Sequence, residues 1–421
     1  MPRGTLGDYW VILRRRRAAL LFSGGLISNL GSSLTSIAIP LAAYKMTGSM
    51  SGLAGVWLLR IVASATVLPL SGVIADRYNR KAIILLTNAL SVIADMTLIL
   101  AVWVSRLDIL LAGVVLLQVA ERFYTPAARA AFPHFFRSDE LPVANSLRVA
   151  SGTLVDLTGP AIGGVLAGCV GVTPLFIVDG MSFLVAALCI ALIDFGREHL
   201  AQPGDKEADK TLGKFLSQMR EGLREAVGSA PVLVYLAAGV VGAFCARLLD
   251  IVGVYITQEV LKTGPEGLGL MYSSLALGSL AATLLVPRMR LDRADFRLYG
   301  LLQLVSAALM LVFVTARSAP VAYVSVALRY GVDTVAVVMI DTEVQRVIHA
   351  RHLGRVTSVI FLSFTLGSVL GIGICSGLGK EHAAASFAVG AFLTASLGVW
   401  VARVYRSGMP TRQTWSADRQ P

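Results

Sequence analysis

Long apolar stretches, broken by short polar interruptions, run through almost the whole chain. None of them alternates with the period of two that marks a barrel strand. A bilayer core about 30 Å thick takes roughly 20 apolar residues of helix to cross. Twelve windows of that kind fit the sequence, at 18–44, 51–75, 81–104, 107–132, 140–168, 174–194, 232–258, 267–287, 297–316, 319–345, 355–379 and 383–404. The pattern therefore predicts an all-α membrane protein with twelve transmembrane helices.

One polar break is long. It runs from Phe195 to about Ser229 and contains REHLAQPGDKEADK followed by FLSQMREGLREA, whose apolar spacing is helical. Such a break reads as a cytoplasmic linker between two bundles. The expected division is an N-terminal six-helix bundle at 1–194, a linker at 195–231, and a C-terminal six-helix bundle with a cytoplasmic tail at 232–421. The halves echo each other weakly. Arg122-Phe123 in span four answers Arg329-Tyr330 in span ten, and the glycine run opening at Gly159 in span five answers the one opening at Gly367 in span eleven. Near-equal offsets of this kind are what parallel six-helix repeats leave behind.

Composition agrees with a lipid solvent. Of the 421 residues 55% are hydrophobic and only 15% charged, against about a quarter charged in a soluble domain. The net charge of +11 raises the question of a nucleic-acid partner. The distribution of the basic residues argues against one, because they are spread over seven separate inter-span segments and not gathered on one face. With the N-terminus inside, only five of the 37 Lys and Arg fall in outside loops: Lys45, Arg106, Lys262, Arg317 and Lys380. That asymmetry places both termini in the cytoplasm. Four arginines precede the first apolar run, but the run is too long for a signal-peptide core, so the first helix is expected to stay as an anchor. Cys169, Cys189, Cys245 and Cys375 all fall within spans without a CxxC pair and read as small buried hydrophobes. The five histidines lie in loops or at helix ends without metal-ligand spacing, so no metal site is expected.

The short interruption SGVIADRYNRKAI, Ser71 to Ile83, joins spans two and three on the cytoplasmic side. It resembles the signature G-x-x-x-D-R-x-G-R-[RK] of the major facilitator superfamily. Gly72, Asp76, Arg77, Arg80 and Lys81 match, and Asn79 stands where the family usually has Gly, a mild departure because Asn tolerates left-handed geometry. The resemblance implies a conformational latch. Gly72 would admit a neighbouring helix, Asp76 would pair with an Arg or take a helix dipole, and Arg77 and Arg80 would bond carboxylates across the half-domain interface. The plainer reading is a basic loop obeying the positive-inside rule.

Further stretches narrow the resemblance. GPAIGGVLAG, from Gly159 to Gly168 with Pro160, Gly163 and Gly164 inside it, is similar to the G-P-x-x-G-G motif of proton-coupled exporters; ordinary tight packing explains the same residues. TPAARAAFPHFFRSDELPVANSL and FIVDGMSFLVAAL resemble the branch that contains macrolide efflux proteins and enterobactin-type siderophore exporters, over about 60 residues.

Charges within spans need a partner or a purpose, because each costs about 2.5–3.5 kcal/mol at the bilayer centre on insertion scales. The candidates singled out among them are Arg60, Asp95, Glu121, Arg122, Asp156, Arg247, Asp250, Arg329 and Asp333. Arg247 with Asp250 and Arg329 with Asp333 can neutralise each other along their own helices. Asp95 and Asp156 have no local basic partner and are candidates for carrying a proton, with Asp156 ranked slightly ahead because it shares span five with the Gly-Pro stretch and Glu121 as a further candidate; a structural hydrogen bond to a neighbouring helix explains the two aspartates equally well. Asp179 in DGMSF reads as a helix-end residue near the outer surface.

The resemblance implies alternating access in a secondary transporter of the cell inner membrane, monomeric and without a cofactor, using the proton gradient as its energy source. The expected partners are protons, the lipid bilayer and an amphipathic small-molecule substrate, either a drug or antibiotic or a siderophore. A lysolipid transporter of the same fold is the alternative. A polytopic enzyme is disfavoured, because the histidines are scattered, and no Walker A loop points to ATP.

Overall fold

The structure is a computed structural model that describes residues 6–195, 230–289, 296–348, 350–378 and 382–406. Residues 196–229 of the expected linker and the tail after Arg406 lie outside the described residues. The helices are α1 Leu6–Leu13, α2 Arg16–Thr47, α3 Met50–Arg77, α4 Arg80–Val104, α5 Leu107–Ala131, α6 Leu141–Val170 and α7 Thr173–Leu192. They continue with α8 Ala230–Tyr255, α9 Gly264–Leu285, α10 Phe296–Thr315, α11 Ala319–Val347, α12 Ala350–Leu378 and α13 Ala383–Arg406. Among the described residues no strand occurs, and eleven helices are long and apolar enough to cross a membrane. The twelfth long helix, α5, has 25 residues but carries Gln118, Glu121, Arg122 and Arg129 in its second half. It packs against α3 and α4.

Local chemistry sets the helix boundaries. Gly48 ends α2 in the left-handed region at φ 59°, where its N–H reaches the Tyr44 carbonyl at 2.7 Å. Ser49 then caps α3, its hydroxyl accepting from the Gly52 N–H at 3.2 Å. Asn79 does not use the left-handed geometry expected of it. Its φ is −59°, and its side-chain oxygen caps α4 by accepting from the N–H groups of Lys81 and Ala82 at 2.9 and 3.2 Å. The residue that replaces the family's Gly is a helix N-cap.

Internal contacts divide the chain into two compact units. The first takes Met1–Lys206 with Ile251–Ala276 and Cys375–Lys380, and the second takes Glu207–Asp250, Leu277–Ile374 and Glu381–Pro421. In the first unit α2 packs on α6 and α7, and α4 packs on α5 and α7. One apolar cluster there gathers Ile83, Ile84, Ala127, Ile190, Ile193 and Phe195. The second unit builds a core from Val234, Phe296, Tyr299, Met339 and Val401, with α10 packed on α11 and α13. Cys189, Cys245 and Cys375 are buried as expected, whereas Cys169 is exposed on α6.

Candidate functional site

The first unit lines a cavity of about 370 Å³ with a polar wall: Ser32 of α2, Arg60 of α3, Asn88 of α4, Gln118 and Glu121 of α5, and Asp179 of α7. These side chains converge because α2, α3, α4, α5 and α7 each contribute to the wall. The Arg60 guanidinium lies 4.9 Å from the ring centre of its own helix neighbour Trp57, and its Nε donates to Gln118 Oε1 at 3.3 Å. Gln118 in turn donates through Nε2 to Glu121 at 3.2 Å. One amide therefore links a cation to an anion across two helices. Arg122 points elsewhere and is absent from the cavity wall; its buried Nε has no hydrogen-bond acceptor among the described residues.

Asp179 is not a helix-end residue. It lies two turns into α7, is 1% exposed, and reaches the cavity. Its Oδ1 accepts from Ser182 at 3.3 Å and from Ser32 of α2 at 3.4 Å. Gly31 makes that approach possible, because a Cβ there would lie 2.7 Å from the same oxygen. Asp95 of α4 meets α7 at the next residue. A Cβ added to Gly180 would sit 3.5 Å from Asp95 Cβ and 3.7 Å from its Oδ2. Asp95 is 1% exposed, neither of its carboxylate oxygens has a hydrogen-bond partner among the described residues, and it is within Coulombic reach of Asp179.

The other span charges are placed differently. Asp156 is exposed on α6 and does not line this cavity, so the burial that would suit a proton carrier belongs to Asp95 instead. In the second unit Arg329 bonds Asp333 at 3.4 Å and Arg247 bonds Asp250 at 2.8 Å, each along its own helix.

Of the loop residues, Asp76 and Arg77 end α3, and their side chains lie outside the described residues. Arg80 donates to the Ala130 carbonyl at 3.1 Å and meets His134 Nε2 at 3.0 Å. Lys81 donates to the carbonyls of Ala191 and Ile193. Both basic groups thus hold helix ends within their own unit. No described atom lies within 4 Å of a Cβ built on Gly72, so no helix crowds it. The span-five glycines are crowded. A Cβ on Gly163 would lie 3.3 Å from Leu34 Cα, and one on Gly164 would lie 2.6 Å from the Pro265 carbonyl and 2.9 Å from Gly269 Cα. Beside Pro160, the Ala161 N–H donates to Ser273 Oγ at 3.0 Å. Small residues here let backbones of α6 and α9 touch.

A helical polytopic membrane protein with a polar, charge-lined cavity has the architecture expected of a membrane transporter. Residues 21–372 match the Major Facilitator Superfamily, and the chain belongs to that family. It is 21% identical over 379 residues to macrolide efflux protein A of Streptococcus pyogenes, covering 86% of this chain and 90% of that one. It is also 24% identical over 275 residues to the uncharacterized MFS-type transporter YfiS of Bacillus subtilis (strain 168), covering 64% of each. Among solved structures, a bacterial homologue of the iron transporter ferroportin in an inward-facing state aligns with TM-score 0.71 and 15% identity, over 94% of this chain and 98% of that one. The nucleoside transporter NupG aligns with TM-score 0.69 and 12% identity, over 93% and 100%.

Proposed function

We propose that this chain exports an amphipathic small molecule across the inner membrane by proton antiport, with two six-helix halves alternating access to a central cavity. The observation that carries the coupling is the buried Asp95 beside Asp179. A carboxyl sealed from water, without a donor and next to a second carboxylate, is costly to ionise together with its neighbour. Such a pair is suited to taking up one proton and giving it back. Asp179 touches the cavity, so occupation of that cavity and protonation of the pair can act on one another.

Similarity to a macrolide efflux protein over most of the chain supports export of a drug-sized compound. The distribution of Lys and Arg supports cytoplasmic termini. Drug and siderophore are the substrate classes to try first, represented by erythromycin and a tris-catecholate. The Asp76 loop is the proposed latch of the cycle.

The assay is uphill efflux from proteoliposomes under an imposed pH gradient. Asp95→Asn and Asp179→Asn should each abolish gradient-driven transport and spare energy-independent exchange of substrate, whereas Asp156→Asn should retain both. Full gradient-driven transport in the Asp95 and Asp179 variants would remove the pair from the mechanism.

A further inference from the structure

A second cavity of the first unit, about 410 Å³, lies at the end of the bundle that carries Lys81 and Arg129. It shares Asn29, Tyr124 and Thr125 with the polar cavity, so the two adjoin. Its volume is within the roughly 300–1,000 Å³ of pockets that take drug-sized ligands. Phe22, Phe132 and Phe135 supply apolar wall, with the Phe22 and Phe132 rings edge to face at 6.1 Å between centres.

The charge of this vestibule is one-sided. Arg129 of α5 and Arg148 of α6 line it, and no Asp or Glu does. Glu140, eight residues before Arg148, is already engaged. It accepts two bonds from Arg15, at 2.6 and 2.8 Å, and one from the Arg137 N–H at 3.0 Å. Neither lining arginine has a carboxylate within ion-pair distance among the described residues. Arg148 is held over the Phe132 ring at 5.6 Å. A guanidinium stacked in that way keeps its edge free for a carboxylate, sulfonate or phosphate.

We propose that this vestibule is the cytoplasmic entry site for the substrate and that it selects amphipaths with an anionic head. The apolar body lies on the phenylalanines and the head meets Arg129 and Arg148. A cationic amphipath of the same size, erythromycin with its protonated amine included, gains nothing from the two arginines and enters more slowly than an anionic one. The inference rests on the export reading only for the direction of travel. The chemistry of an anionic head on an apolar body is shared by a soluble metabolite and by a lysophospholipid of the inner leaflet.

The test measures binding and needs no gradient. Anilinonaphthalene sulfonate and N-phenyl-naphthylamine share one ring system and differ by the sulfonate, and both fluoresce in apolar surroundings. They are titrated onto the protein in lipid nanodiscs, with the signal of empty discs subtracted. The wild type should bind the sulfonate about tenfold more tightly, a difference near 1.4 kcal/mol, and added salt should shrink the margin. The double variant R129Q/R148Q should erase the preference while N-phenyl-naphthylamine still binds, and R129K/R148K should keep most of it. If the double Gln variant no longer folds, R129Q and R148Q taken singly report the same ratio. Equal binding of the two dyes by the wild type, or a preference that survives removal of the arginines, overturns the proposal.

Competition separates the two sources. Displacement by taurocholate below its micellar concentration assigns a soluble anion, displacement by lysophosphatidylglycerol assigns a lipid, and displacement by neither overturns the site. Uphill export of erythromycin without any sulfonate binding would overturn this inference and leave the export reading standing.

Discussion

Lys81, the second residue of α4, closes the end of α7: its ammonium lies 2.9 Å from the Ala191 carbonyl oxygen and 2.7 Å from that of Ile193. The last carbonyls of a helix have no partner within it, and a cation there satisfies them and complements the helix dipole. The Phe195 ring lies under the same ammonium at 5.6 Å. Lys81→Met should lower the stability of the purified protein by about 1–2 kcal/mol, and Lys81→Arg should recover most of it. Thermal unfolding followed by intrinsic fluorescence reads the difference; an unchanged midpoint in Lys81→Met would show that water serves those carbonyls equally well.

The crossing of α6 and α9 gives a steric prediction. The atoms that an added Cβ at Gly164 would meet belong to the backbone of Pro265 and Gly269, which has no flexible end to swing away. Gly164→Ala should therefore cost about 1–3 kcal/mol through forced separation of the helices. Gly55→Ala in α3 is the control, since nothing lies within 4 Å of a Cβ there; it should be neutral or stabilise by about 0.5–1 kcal/mol through lower backbone entropy. Equal midpoints for the two variants would contradict this crossing.

Glu140, immediately before α6, gives a dependence on pH. The bonds from the Arg15 guanidinium, with a smaller contribution from the Arg137 N–H, hold its carboxyl below the ordinary value of 4.5. A lowered carboxyl contributes stability that is present above its unfolded value and is lost as pH falls through its folded value. The contribution is therefore complete above about pH 4.5 and fades below it. Arg15 is half exposed, so the pair is worth at most about 1 kcal/mol. Glu140→Gln should lower stability by that amount at pH 7 and converge on the wild type in acid. A constant gap from pH 7 down to pH 3 would assign the effect to shape and not to charge.

Topology is open to direct labelling. In a background where the native cysteines are replaced, single cysteines at Gly204 and Ser407 should react with an impermeant maleimide only in inside-out vesicles. Reaction of either one in intact cells would reverse the orientation or change the number of spans.

Much of this architecture was legible in the sequence because lipid imposes a length rule. Each span announces itself as an apolar run, whereas residue type alone misread Asn79, which was expected to tolerate left-handed backbone and instead caps α4. Pairs local to one helix were legible too, since Arg247 and Asp250 are three residues apart and cannot avoid each other. The cavity was not. In a soluble protein the polar face of a helix shows which side is out, but in a bilayer both the packed side and the lipid side are apolar, so the sequence of α7 does not say that Asp179 faces Ser32. Distance from the turn at Gly171 made Asp179 look terminal, whereas its burial depends on Gly31, 148 positions earlier. Asp156 shows the same limit in reverse. Its lack of a basic neighbour along α6 said nothing about which way it points.

Asp95 also bears on how this protein can be handled at the bench. A buried carboxyl with no partner is a place where almost any neutral residue of similar size would fit more comfortably, so a search for sturdier variants will find Asp95→Asn early. Such selections commonly exchange activity for robustness at strained positions. On the proposed coupling, a thermostabilised version chosen by melting temperature alone would keep the polar cavity and lose the proton step, and a structure solved from it would portray a passive carrier.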